Sequence, residues 1–114
     1  MLGVTPILKN GRAEIQLRNG GKSTIVVNIL IWPEGHQRPV IRQLLSEQLS
    51  CLPPKTATPV DITKAVLAMT HGGGNLAVWI LFEVDPDCQR FRVRYELDIY
   101  DGLITRFVEQ YLVD

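Results

Sequence analysis

Residues 58–70 read "TPVDITKAVLAMT", from Thr58 to Thr70, and the fold class turns on them. As a helix, Thr58 caps the N-terminus, Pro59 occupies the first turn, where its missing N–H costs nothing, and Asp61 lies near the positive end of the helix dipole. Ile62, Ala65, Val66 and Met69 then share one face at helical spacing. As a strand, the same stretch draws on a β-rich composition. The helical reading makes the chain an α+β domain, and the extended one makes it an all-β sandwich with one or two helices.

The neighbours favour the first reading. Upstream, "VIRQLLSEQLSCL" at 40–52 places Ile41, Leu44, Leu45, Leu49 and Leu52 on one helical stripe, stopped by Pro53-Pro54. Earlier still, Arg12 to Arg18 alternates, with Ala13, Ile15 and Leu17 on one side and charged or polar residues on the other, the pattern of a strand with one wet face. "STIVVNILIW" at 23–32 is apolar on both sides, as central or doubly covered strands are. Asn19-Gly20 between them suits a tight hairpin turn. Downstream, "LAVWILFEV" at 76–84 is again apolar on both faces, and Asp85-Pro86-Asp87-Cys88 makes a turn. "RFRVRYELDIY" at 90–100 then alternates cleanly, with Phe91, Val93, Tyr95, Leu97 and Ile99 inward. Leu103, Ile104, Phe107, Val108, Tyr111 and Leu112 have the helical period and predict a C-terminal helix.

The predicted order is therefore β-β-α-α-β-β-α. Two β-hairpins form a four-stranded, mainly antiparallel sheet with the helices on one face, the two greasiest strands side by side and the one-faced strands at the edges. The 114 residues make a single globular domain, 1–114, large enough to bury roughly two-thirds of the surface its unfolded chain exposes.

Composition narrows function by exclusion. Twelve basic and twelve acidic residues cancel, so no long-range field draws in nucleic acid or an anionic membrane. No apolar run approaches the 18 or so residues a membrane helix needs, and "MLGVTPILKNGR" has neither the basic start nor the apolar stretch of a secretory signal. Two cysteines, Cys51 and Cys88, are too few for a disulfide-stapled secreted domain. These features together predict a cytoplasmic protein with free thiols.

No catalytic constellation assembles from the residues. His71-Gly72-Gly73-Gly74 resembles the oxyanion loop of lipases and esterases, but the family's Gly-x-Ser-x-Gly elbow is absent, and a helix end followed by a turn explains the glycines. His36, Cys51, His71 and Cys88 lack the local pairing of a zinc signature, so no metal and no cofactor is expected. Cys88 lies beside Asp85 and Asp87, whose charge opposes thiolate formation.

Two stretches remain as binding candidates. "WPEGHQRP" at 32–39 offers Trp32, His36 and Arg38 on a loop stiffened by two prolines, and Trp and Arg are enriched in binding hot spots. Arg90, Arg92 and Arg94 project from one side of a strand as a basic row, followed by Glu96 and Asp98, which suits edge protection better than a phosphate track. The functional reading is a small non-catalytic protein acting by protein–protein binding or self-association, with a homodimer or protein partner expected and nucleic acid disfavoured. Its alternative is a small-molecule binding protein or enzyme with a pocket between the sheet and the helices, drawing on His36, Tyr95 and Arg92 or Arg94. The run Leu76 to Tyr100, ending in "YELDIY", resembles the C-terminal part of the YezG-like bacterial immunity family. That likeness covers about a quarter of the chain and implies toxin neutralisation in a bacterium; where the family begins with a helix, this chain begins with strands.

Overall fold

Two dipeptides set the outer hairpins. At Asn10-Gly11 (φ 51° and 74°) and at Asp101-Gly102 (φ 52° and 76°) both residues are left-handed, which is the geometry of the two-residue turn whose twist matches that of the flanking strands. The computed structural model describes residues 2–35, 51–70, 73–86 and 88–110. The first turn joins β1 (Leu2–Lys9) to β2 (Arg12–Asn19), and the second joins β6 (Gln89–Tyr100) to a final strand, β7 (Leu103–Gln110). Between them lie β3 (Val26–Pro33), β4 (Thr56–Asp61), a short helix α1 (Thr63–Ala68) and β5 (Gly74–Asp85).

These strands form two antiparallel sheets, β1-β2-β4 and β3-β5-β6-β7. The chain changes sheet three times, between β2 and β3, between β3 and β4, and from β4 through α1 to β5. One core fills the space between the sheets. Ile15 and Leu17 of β2, Ile29 and Ile31 of β3, Ile80 and Phe82 of β5, and Tyr95 and Leu97 of β6 are all buried in it. Alternation at period two does the sorting, because inward residues bury their apolar surface while outward ones keep their polar groups wet.

Buried polar side chains fasten the crossings. Asn19, fully buried at the end of β2, donates from Nδ2 to the Ser23 carbonyl (2.8 Å) and the Leu52 carbonyl (2.9 Å), and its Oδ1 accepts the Gly21 N–H (3.0 Å). Leu52 also exchanges backbone bonds with Ile25 (3.1 and 2.8 Å). At the crossing from β4 to β5 Thr63 Oγ1 accepts the Ala13 N–H (2.9 Å) and Ile62 N–H reaches the Ala13 carbonyl (3.0 Å), which anchors α1 to β2.

The structure corrects the α+β expectation. It holds two packed sheets with one short helix, so the described residues make an all-β sandwich rather than one sheet roofed by helices. Four differences produce this. Residues 103–110 are a strand: Leu103 pairs with Tyr100 and Phe107 with Leu97, and a bulge opposite Asp98 and Ile99 breaks strict alternation so that the apolar spacing imitates a helical period. β1 was not foreseen, because Pro6 and Gly3 dilute its pattern. Thr58 does not cap a helix, since residues 56–61 pair with β2 and Pro59 lies opposite Gln16 on the edge strand β4, where a missing N–H is tolerated. The helix starts at Thr63, where Asp61 Oδ1 accepts the Thr63 N–H (2.8 Å).

The fourth difference concerns pairing. The expected hairpin across Asn19-Gly20 does not form, because β2 pairs with β1 and β4 whereas β3 belongs to the other sheet. The two greasiest strands, β3 and β5, do lie side by side, with Ile29 opposite Phe82 and Ile31 opposite Ile80. Among the described residues, however, β3 ends its sheet and the one-faced strand β6 lies inside it. Of the helix expected over 40–52, all but Cys51 and Leu52 lie outside the described residues. No helix among the described residues is long and apolar enough to cross a membrane.

Candidate interaction surface

The outward side of β6 carries Arg90, Arg92, Arg94, Glu96, Asp98 and Tyr100 in order, and register fixes what each meets. Trp32 of β3 lies opposite Trp79 of β5, and Trp79 lies opposite Arg94 of β6. The loop candidate Trp32 and the arginine row, separate in sequence, thus share one sheet face. His36 and Arg38 lie outside the described residues.

That face is closed by its own chemistry. The Arg94 fork donates to both Glu34 oxygens (Nε to Oε1 3.0 Å, Nη2 to Oε2 2.8 Å), to Glu96 Oε1 (3.3 Å) and to Gln110 Oε1. The hydrogen bond from Arg94 holds the Glu34 carboxyl below its ordinary range, and the same bond holds the Arg94 guanidinium above its own. The Arg92 guanidinium lies 4.9 Å from the centre of the Trp79 ring, a cation–π contact. Arg90 faces Glu83 at 3.5 Å, and Arg106 lies 3.7 Å from both Glu96 and Asp98. Trp32, Trp79, Leu30 and Leu81 are half-buried along this face. Arg90 and Arg94 are therefore answered by acids and Arg92 by the Trp79 ring, which leaves a phosphate backbone no continuous track of uncompensated charge.

The exposed apolar surface lies at one end of the sandwich. Among the described residues three large apolar side chains are exposed: Tyr100 (77%), Leu103 (55%) and Leu8 (41%). All three flank the two Asn/Asp-Gly turns. Tyr100 and Leu103 close the β6–β7 hairpin as a cross-strand pair, and Leu8 precedes the β1–β2 turn by two residues. The two hairpin tips are locked together. Ile104 N–H donates to the Gly11 carbonyl (3.0 Å), and Leu103 packs so closely on Gly11 that a Cβ there would fall 2.8 Å from Leu103 Cδ2. The two joined tips form a knuckle that carries Leu8, Tyr100 and Leu103, with Asp101 exposed at the β6–β7 turn. Sequence reasoning missed it, although Asp101-Gly102 between alternating apolar residues is a strong hairpin signal that would have paired Tyr100 with Leu103.

The opposite end holds an open cleft of about 470 Å³ lined by Leu2, Gln89, Arg90 and Phe91. Phe91 stacks on Phe82 with ring centres 5.1 Å apart, and Arg90 stands at the rim with its side chain 67% exposed. A smaller recess of about 120 Å³ lies at Arg12, Asp61, Lys64 and Ala65. There partial burial pushes the Asp61 carboxyl up, but the bonds from Thr63 and from Arg12 (Nε to Oδ2 2.7 Å) outweigh it and hold the group below its ordinary range. Cys51 and Cys88 are free and exposed, His71 and Gly72 lie outside the described residues, and no group of three potential metal ligands occurs among the described residues.

No protein-family model, no curated protein and no solved structure matches the chain.

Proposed function

We propose that this protein is a non-catalytic protein-binding domain and that the knuckle of Leu8, Tyr100 and Leu103 is its contact. The observation that carries this reading is the concentration of exposed large apolar side chains at one rigid end, while the sheet face that bears the tryptophans and arginines spends its polar groups on itself. An exposed tyrosine beside leucines is a common anchor, because the ring supplies area with few rotors to freeze and the hydroxyl stays solvated. Two turns held by a backbone hydrogen bond present these side chains already ordered, which lowers the entropic cost of association. A projecting feature of this kind calls for a concave partner.

The test is site-specific photo-cross-linking in cells, with a benzophenone amino acid replacing Tyr100 and, as control, the exposed Arg18 on the other sheet. A discrete adduct from the Tyr100 site that is absent from the Arg18 site is expected. Equal or absent adducts at the two sites would remove the knuckle as a contact.

A further inference from the structure

The chain holds the dipeptide Asn-Gly twice, each time after a basic residue: Lys9-Asn10-Gly11 and Arg18-Asn19-Gly20. Asparagine before glycine is prone to lose its side-chain amide, because glycine has no Cβ to keep its nitrogen away from the asparagine Cγ. As sequence the two sites are equals. We infer that Asn10 is a site of spontaneous deamidation gated by the contact between the two hairpin tips, and that the fold protects Asn19. This stands whether or not the knuckle binds a partner.

The chemistry needs only water. The Gly11 nitrogen gives its proton to solvent and attacks Asn10 Cγ; the new C–N bond closes a succinimide ring, and the Cγ–Nδ2 bond breaks as ammonia leaves with a proton taken back from solvent. Water then opens the ring at either carbonyl. Opening at Cγ leaves aspartate, and opening at the main-chain carbonyl leaves isoaspartate, whose chain runs through the side-chain methylene. Nothing is oxidised or reduced.

Environment separates the two asparagines. Asn19 is fully buried, with its Oδ1 bonded to the Gly21 N–H and its Nδ2 to the Ser23 and Leu52 carbonyls. Expelling that nitrogen as ammonia would strip both carbonyls of a donor, in a place that water does not reach. Its main chain is held as well, since its carbonyl accepts the Lys55 N–H (2.8 Å). Asn10, by contrast, is exposed at its turn. The remaining pair, Asn28 and Asn75, precede Ile29 and Leu76, whose side chains hinder the attack.

The turn itself sets the rate at Asn10. Its φ of 51°, with 74° at Gly11, is left-handed. In that conformation the Gly11 nitrogen points away from Asn10 Cβ, whereas the ring needs the two eclipsed about the Cα–C bond. The turn must therefore open before it reacts. The other hairpin opposes opening: Ile104 N–H is bonded to the Gly11 carbonyl (3.0 Å), and Leu103 lies against Gly11. Opening an exposed turn costs less than unfolding buried elements, so Asn10 reacts from the folded protein. Isoaspartate then adds an atom to a backbone turn fitted to two residues, and the Gly11 carbonyl parts from Ile104.

The full chain is incubated at mildly alkaline pH, folded and in urea, and mapped by mass spectrometry after chymotryptic digestion, in which cleavage at Leu17 puts the two sites on different peptides. In urea they should deamidate at similar rates. In the folded chain Asn10 should outpace Asn19 by about tenfold or more. Leu103→Ala, an exposed change that spares the core, should speed Asn10 several-fold and leave Asn19 unchanged. In the aged chain, identified as isoaspartyl by electron-transfer fragmentation, the Ile104 amide should lose protection from hydrogen exchange. Equal rates at the two sites in the folded chain, or faster loss at Asn19, would overturn the assignment. A rate at Asn10 that Leu103→Ala does not change would overturn the gate, and Ile104 protection that survives isoaspartate formation would overturn the unlocking.

Discussion

Replacing Asn19 by alanine tests whether the first sheet crossing is held by one side chain. Asn19 is fully buried and its amide makes three hydrogen bonds, to the Ser23 carbonyl, the Leu52 carbonyl and the Gly21 N–H, at 2.8, 2.9 and 3.0 Å. Their losses are unequal. Ser23 O and Gly21 N lie in partly buried surroundings where water can replace the amide, at about 1 kcal/mol each. The Leu52 carbonyl is buried but still accepts the Ile25 N–H (3.1 Å), so it is under-satisfied rather than orphaned, at about 1–2 kcal/mol. The sum is about 3 kcal/mol, a large part of a stability of about 5–15 kcal/mol. In urea, with a slope near 1.5 kcal/mol per molar, the midpoint should fall by about 2 M with the slope unchanged. Asn19→Asp refines the test. It keeps the acceptor but sets a carboxylate against two carbonyls, so its folded pKa rises above the unfolded one. The unfolded state then gives up its proton first, and the variant should be least damaged in acid and lose stability as pH rises through the unfolded value toward the folded one. A loss below about 1 kcal/mol for Asn19→Ala, with Arg18→Ala as an exposed control, would refute the view that this amide fastens the crossing.

The turn glycines should separate strain from contact. Gly102→Ala, at φ +76° with open space around it, should cost about 1 kcal/mol, whereas Gly11→Ala, at φ +74° and against Leu103, should cost about twice that, with Leu103→Ala recovering part of the difference; thermal midpoints report both. Asp61 should contribute to acid stability. Its folded pKa is depressed, so its contribution is present above the unfolded value and is lost as pH falls through the folded one, and the urea-midpoint gap between wild type and Asp61→Asn should close in that acid range. Arg92→Gln should raise quencher access to tryptophan and cost less than about 1 kcal/mol; unchanged quenching would mean the contact over Trp79 is not formed.

What was legible in the sequence was what depends on period two alone. The inward sets Ala13, Ile15, Leu17 and Tyr95, Leu97, Ile99 are buried as their alternation requires, and β3 lies beside β5 because strands apolar on both sides need covering. What failed depends on pairing at a distance. A bulge shifted the apolar phase of residues 103–110 and disguised a strand as a helix. Pro59 satisfies both a helix's first turn and an edge strand, and only the partner strand β2 decides between them. Asn-Gly was read at residues 19–20, where Asn19 serves by its side chain, and overlooked at 10–11, where the backbone makes the turn. The candidate surface suffered likewise. The arginine row was visible as a stripe, but its acids come from a β3 end, a cross-strand neighbour and the strand itself, a meeting that only the tertiary register reveals.

The proposed contact at the knuckle accords with how the rest of the surface is defended. A sandwich invites partners at its sheet edges, and here the end strands of both sheets are defended. β1, β3 and β4 each contain a proline, at Pro6, Pro33 and Pro59, and β7 carries a bulge and the charged Arg106 instead. Each device removes or misaligns a backbone group that an added strand would need. The outer face of the larger sheet is guarded differently, by ion pairs and a stacked guanidinium that a partner would have to break before gaining contact. With those edges blunted and that face compensated, the knuckle offers apolar area that can be covered without first losing an ion pair. Tyr100 and Leu103 sit on a glycine-dependent turn and neither contributes to the core that the rest of the chain builds, so packing of the fold does not account for them.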